Sequence, residues 1–253
     1  MTLAGAAIAL LAGAVGCGHK RQAVSTPPPP LVPMQTPAYK TFPASGAPAK
    51  SAPQATSIAD TPEDLAYVAA HRPIWTQTGV ASWYGPPYDR HRGANGEIFD
   101  QNMLSAAHRE LPMGSLLRVT NVRTGQQSVM RVTDRGPFVP GRVLDLSVAS
   151  AKAIGVWAPG IATVQIEVFA APKPIGEGGR WCVQIGAFHS EGKALALERK
   201  LQRRYASAHV IEFTGPTGHW VRIRPAADDK ARAQEIESTV QPEEGAAYLT
   251  RLD

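Results

Sequence analysis

Cysteine is nearly absent: the 253-residue chain holds only Cys17 and Cys182. A disulfide framework is therefore excluded, and packing must hold the fold together. Basic blocks are missing too. Of the net +5, residues 78–170 carry +2 and residues 176–253 are neutral. Nucleic acid is a poor partner for such a distribution, although a mildly basic chain is still drawn to an anionic polymer or membrane surface. The seven histidines and two cysteines show no metal-ligand spacing, so no metal or other cofactor is expected. The apolar run at the start, Met1–Gly16, is too short to span a bilayer and lacks a stop-transfer flank.

That run has the make-up of a signal peptide over residues 1–16, ending in Ala14-Val15-Gly16-Cys17. The tetrad resembles a lipoprotein cleavage box, which implies lipidation of Cys17 and a membrane anchor. Gly18 in place of Asp implies sorting to the outer membrane, on its periplasmic face. Ala14 stands where Leu is usual, and no Lys or Arg precedes the run; the alternative is a plain secretory signal with an incidental cysteine. Proline, by contrast, is concentrated in the next stretch. Pro27 to Pro30 form a run, and five more prolines follow by Pro53, among Ala, Ser and Thr. Such a segment cannot bury enough apolar surface to offset its ordering entropy. Residues 17–75 are expected to be an extended tether with a reach on the order of 100–150 Å.

From Gly79 the pattern changes to short β-like runs: Gly79 to Tyr84, Leu116 to Val122, Ser128 to Thr133, Val143 to Leu146 and Val164 to Phe169. Turn pairs such as Asn95-Gly96 and Thr124-Gly125 separate them. One helix is expected, Ser147 to Ile154, with Asp145 or Ser147 as its cap. Many strands and one helix over residues 76–170 point to a small barrel. Residues 171–179 form a short linker. Residues 180–253 read as strand, helix, two strands, helix, strand: Trp181 to Phe188, Glu191 to Tyr205, His209 to Phe213, Trp220 to Arg224, Asp228 to Val240 and Ala246 to Leu252. This βαββαβ order implies a four-stranded sheet with both helices on one face, ferredoxin-like or RNP-like, leaving its other face free to bind something.

Three segments carry a family resemblance. They are Gly79-Val80-Ala81-Ser82-Trp83-Tyr84-Gly85; Ala94-Asn95-Gly96-Glu97-Ile98-Phe99-Asp100 leading to Ala106-Ala107-His108; and Asp134-Arg135-Gly136-Pro137-Phe138 leading to Asp145-Leu146-Ser147. In order and spacing they resemble the rare lipoprotein A family. The resemblance implies a six-stranded double-psi β-barrel, similar to that of expansins and some endoglucanases, that cleaves peptidoglycan glycan strands. Gly93 departs from the family's usual Thr. Trp181 to Phe188 and the element order resemble a SPOR domain, which implies binding of peptide-stripped glycan at the division septum, where division proteins are possible partners.

Such a cleavage needs an acid that stays protonated near neutral pH. The candidates are Glu97, His108, Asp134 and Asp145. The resemblance favours Asp134. Each also has an ordinary reading: Glu97 as a solvated loop residue, His108 as a structural hydrogen-bonder, Asp134 in a turn or paired with Arg135, and Asp145 as a helix cap. Ser82, Trp83, Tyr84 and Asn95 are candidate sugar contacts, with Trp83 equally suited to the core. Gln184 and Trp220 are candidates in the second domain, or ordinary sheet surface. Three functions stay open: a lytic transglycosylase, a non-catalytic expansin-like or septal glycan binder, and a water-using glycosidase.

Overall fold

A computed structural model of the chain describes residues 61–212 and 218–253. The signal-like run, Cys17 and the proline-rich stretch lie outside the described residues.

The tether does not extend to residue 75. Pro62–Ala70 is a helix, α1. Thr61 caps it by accepting from the Asp64 N–H at 3.1 Å, and Pro62 takes the first-turn position where its missing N–H costs nothing. Its Val68 packs with Leu116, Val129 and Phe169, and its Asp64 pairs with Arg131 at 2.5 Å. A single buried apolar side chain, Val68, is thin evidence for a helix in a sequence, and the proline bias on its N-terminal side masks it.

Six strands then close into a barrel: β1 (Trp75–Trp83), β2 (Ser105–Ala107), β3 (Leu116–Asn121), β4 (Gln127–Asp134), β5 (Arg142–Leu146) and β6 (Ala162–Ala170), in the order β1-β5-β2-β4-β3-β6. The pairs β1–β5 and β2–β4 are parallel and the others antiparallel. This is the six-stranded barrel that the resemblance implied. Alternation sends Ala81, Leu117, Val119, Met130, Val132, Leu144, Leu146, Val164, Ile166 and Val168 to one interior. Truncating one of these large side chains to Ala costs about 2–5 kcal/mol. The helix α2 (Val148–Ala153) is capped by Ser147, whose hydroxyl accepts from the Ser150 N–H at 3.1 Å and donates to Met103 O at 2.6 Å. Asp145 is therefore not the cap.

The second domain holds β7 (Trp181–Phe188), α3 (Glu191–Gln202), β8 (His209–Glu212), β9 (His219–Ile223), α4 (Lys230–Thr239) and β10 (Ala246–Arg251). Its sheet runs β10-β7-β9-β8, all antiparallel. Ser190 and Asp229 cap the two helices. Val183, Ile185, Val221, Ile223 and Leu249 face the helices.

The opposite face of this sheet is not free. Phe138 of the barrel lies on Trp220 and Tyr248, with ring centroids 5.1 and 5.7 Å away, and the Arg109 guanidinium sits 5.4 Å from the Tyr248 ring. The chain end joins in: Arg251 N–H donates to Arg109 O at 2.9 Å, and Arg135 Nη2 donates to Asp253 O at 2.7 Å.

Candidate active site

The site begins with an irregularity in β4. Alternation from Met130 and Val132 would send Asp134 into the barrel interior. Instead the β2–β4 register slips. Ala106 lies opposite Val132, but Ala107 lies opposite Asp134, so Thr133 is an extra residue. A bulge of this kind re-aims the next side chain, and Asp134 takes the outward face with Ala107. On the other edge of β2, Ala107 pairs with Asp145 of β5. Residues directly opposite one another point to the same side, so Asp134, Ala107 and Asp145 form one row. At about 4.8 Å per strand step, the two acid backbones stand about 10 Å apart. Only a methyl group lies between them.

A second bulge serves the same face. Val80 pairs with Arg142 and Ala81 with Leu144, which leaves Val143 as the extra residue. Arg142 thereby shares a side with Ser82 and Asp145, and its Nη2 comes within 3.7 Å of Asp145 Oδ2.

Hydrogen bonds fix the acids. Asp134 Oδ1 accepts from the N–H groups of Ala94 and Arg135, at 2.9 and 2.8 Å. The Arg135 guanidinium turns away, to the carbonyls of His108 and Leu111, so it is not an ion-pair partner for Asp134. Asp145 Oδ1 accepts from the Ser82 hydroxyl at 2.5 Å. Burial raises the pKa of both acids above the usual carboxylate range. The two N–H bonds oppose that rise for Asp134, while the Asp145 charge adds to it. Arg142, Ser82 and Arg109 oppose it for Asp145.

Aromatic side chains stand around the row. Tyr84 follows Ser82 on the same face and stacks on Phe99 at 4.5 Å. Burial, then the charges of Asp134 and Asp145, push its phenol well above the usual value. Tyr88, in edge contact with Tyr84, is raised by burial, then by Asp145, with Arg142 opposing. Beside Asp134 a cleft is lined by Gly93, Asn95, Glu97, Phe99, Ser105 and Thr133. Within it Asn95 Nδ2 donates to Glu97 Oε2 at 2.8 Å, and Glu97 N–H donates back to Asn95 Oδ1 at 3.0 Å. A Cβ at Gly93 would stand 3.6 Å from Asp134 Oδ2, so glycine leaves the free oxygen of Asp134 open on that side.

Comparison with known proteins fits this arrangement. The family model described as "Lytic transglycolase" matches residues 76–166, and the SPOR domain model matches residues 177–250. A protein of Vibrio cholerae named endolytic peptidoglycan transglycosylase RlpA is 33% identical over 186 residues, covering 71% of this chain and 70% of that protein. The chain belongs to the RlpA family. A probable RlpA of Synechocystis is 53% identical over 90 residues, 36% of this chain and 28% of that protein. RlpA of Campylobacter jejuni is 39% identical over 158 residues, 52% of this chain and 58% of that protein. The chain thus spans only part of each of these relatives. Likeness to solved structures is slight: an expansin of Clavibacter michiganensis is 19% identical over 46% of this chain and 59% of that chain, with a TM-score of 0.32.

Against the RlpA motifs, the structure brings Ser82, Tyr84, Asn95, Glu97, Asp134 and Asp145 to one region. It places four other candidates elsewhere. His108 is buried with both ring nitrogens committed: Nδ1 accepts from the N–H groups of Glu110 and Leu111, and Nε2 faces Gln77 Oε1 at 3.1 Å. Burial, with Arg109 and Arg135 nearby, pushes its pKa down to about 3. Its ring is neutral and follows Ala107 on the strand, so it faces away from the acids. Its peptide N–H donates to Asp134 O at 3.2 Å. Trp83 is set opposite Ser82 by alternation and packs against the barrel core, its indole N–H on Trp157 O. Gln184 and Trp220 are buried under the barrel rather than presented to solvent.

Tyr88 and Arg142 escaped the sequence reading. Pro86-Pro87-Tyr88, one residue beyond Tyr84, is a usable signal for an aromatic on a stiff loop. Nothing local marked Arg142, because its bulge depends on a partner strand.

Proposed function

We propose that the chain is an endolytic peptidoglycan transglycosylase. It cuts the MurNAc–GlcNAc bond of peptide-stripped glycan strands and leaves a 1,6-anhydro-MurNAc end. The observation that carries this reading is the pair Asp134 and Asp145, set across Ala107 on an outward face, with burial and the Asp145 charge inclining Asp134 toward the protonated form and Ser82, Arg142 and Arg109 favouring the charge of Asp145. The names of the relatives support the same chemistry.

Asp134 is the proton donor. Protonated on Oδ2, it gives its proton to the glycosidic oxygen as the C1–O4 bond breaks and positive charge grows on C1. The MurNAc 6-hydroxyl closes on C1, and its proton passes to the Asp134 carboxylate, which restores the acid. Asp145, held by Ser82 and beside Arg142, stabilises the cationic sugar with its charge. Raising the pKa of Asp134 through that same charge lets one carboxyl act as acid at the pH of the envelope. Glu97 and Asn95 hold the sugar beside the cleft, and Tyr84 and Tyr88 offer ring faces to it. His108 acts by fixing the strand and turn behind Asp134.

The SPOR match supports enrichment on stripped glycan at the septum, with division proteins as possible partners. The lipobox-like tetrad supports lipidation at Cys17 and a place on the periplasmic face of the outer membrane.

The test is product chemistry. Purified sacculi, with and without stem peptides, are digested and the soluble products weighed by mass spectrometry. Anhydro ends on stripped strands are expected. Reducing ends would assign hydrolysis instead, and no release at all would leave a binding protein.

A further inference from the structure

The acid face carries one cation whose bonding is incomplete. Arg142 Nη2 stands 3.7 Å from Asp145 Oδ2, too long for a hydrogen bond, and its Nε is buried without a hydrogen-bond partner. A satisfied guanidinium on the same barrel looks different: Arg118 grips Glu167 through two bonds of 2.7 and 2.9 Å. The Arg142 side chain keeps 26% exposure, so it reaches solvent at the edge of the groove. Tyr88 lies within range of Arg142, Asp145 and Asp134 alike, which places the cation beside the reacting row. A bulge in the β1–β5 ladder turns Arg142 to this face.

A guanidinium offers a planar fork of donors that matches a carboxylate. Asp145 does not fill that fork. An anion arriving near Asp134, Asp145 and Glu97 would otherwise be repelled, and a cation whose fork Asp145 leaves unfilled can offset that repulsion toward an anionic part of the ligand.

Resting on the proposed function, the substrate supplies such a group. MurNAc carries a lactyl ether at O3. Attached to a stem peptide, its carboxyl is a neutral amide. Stripped of the peptide, it is a free carboxylate whose carbon is two bonds from the O3 ether oxygen. We propose that Arg142 binds this lactyl carboxylate, so that the barrel itself selects peptide-free strands. An amide in the same place leaves the fork without its anion and adds the bulk of the peptide.

The experiment compares two substrates in wild type and Arg142→Gln. One is stripped glycan strands. The other is the same strands with their lactyl carboxylates capped as methylamides. Wild type is expected to favour the free carboxylate by at least about tenfold in kcat/KM, the worth of one charge-assisted pair. In Arg142→Gln that preference falls to near unity, mainly through KM for the free carboxylate, while any effect of the change on Asp145 is shared by both substrates and cancels in the ratio. Any contribution of the second domain is common to both proteins and cancels in the ratio. Arg142→Lys, which keeps the charge and loses the fork, is expected to fall between, and an unchanged melting temperature shows that each variant folds. An unchanged preference in Arg142→Gln overturns the proposal. So does an equal loss on both substrates with a displaced pH profile, which would assign Arg142 to tuning Asp145. If wild type cuts neither strand, the transglycosylase reading itself has failed, which is a different result from an active enzyme with unaltered selectivity.

Discussion

Ala107 lies opposite Asp134, not opposite Thr133. That single slip turns the acid out of the barrel interior and onto the face that Asp145 already occupies. Inserting one alanine between Ala106 and Ala107 would give Thr133 a partner, restore regular alternation from Val132 and send Asp134 inward. We expect the insertion variant to lose cleavage by a factor of about 10²–10⁴, the usual worth of a general acid. It should retain a folded barrel by circular dichroism; full activity would show that the bulge does not aim the acid.

The pH profile follows from the neighbours of Asp134. Burial and the charge of Asp145 both raise its pKa. Activity needs the protonated form, so the rate should fall on the alkaline side at a pH above the ordinary carboxylate range. Asp145→Asn removes the negative neighbour and lowers the pKa of Asp134. Its alkaline limb should move to lower pH in a kcat–pH series. A limb that moves upward or stays fixed would contradict the coupling.

His108 makes the protein sensitive to mild acid. Its folded pKa is lowered from 6.5 to about 3. The folded state therefore binds fewer protons than the unfolded chain between those values. The stability it contributes is complete above 6.5 and is lost as pH falls toward 3, by on the order of a few kcal/mol. His108→Gln should flatten that part of the stability–pH curve in urea melts, at some cost in stability at neutral pH. An unaltered slope would mean that the ring is not held neutral.

Much of this was legible in the sequence, and the failures have a common cause. Strong alternation and turn pairs marked β3, β4 and β6, and the β7 boundaries were read as Trp181 to Phe188. The Ser147 cap was one of two options. β2 was missed because Ser105, Ala106 and Ala107 are small and buried alike, so they show no alternation. Both bulges were missed because a bulge is defined against a partner strand. Period-two reasoning would place Asp134 inside and set Arg142 opposite Asp145. The sheet face bearing Gln184 and Trp220 was expected to be open. Its covering by Phe138 joins residues far apart in sequence, and no local pattern encodes that.

That covering also makes a prediction. Phe138→Ala removes the ring lying on Trp220 and Tyr248, which should weaken docking of the second domain by about 2–4 kcal/mol. Limited proteolysis should then cut residues 171–179 faster, with little change in the melting of the barrel. Equal cutting rates would show that the aromatic contact does not hold the domains together.

Release of anhydro ends from stripped strands by Asp134→Asn, beside wild type at equal concentration, tests the central claim most directly. Asparagine keeps the shape of the side chain but has no proton to give. The account predicts loss of release by about 10²–10⁴ while the variant still binds the strands. Release at the wild-type rate would remove Asp134 from the chemistry and the account with it.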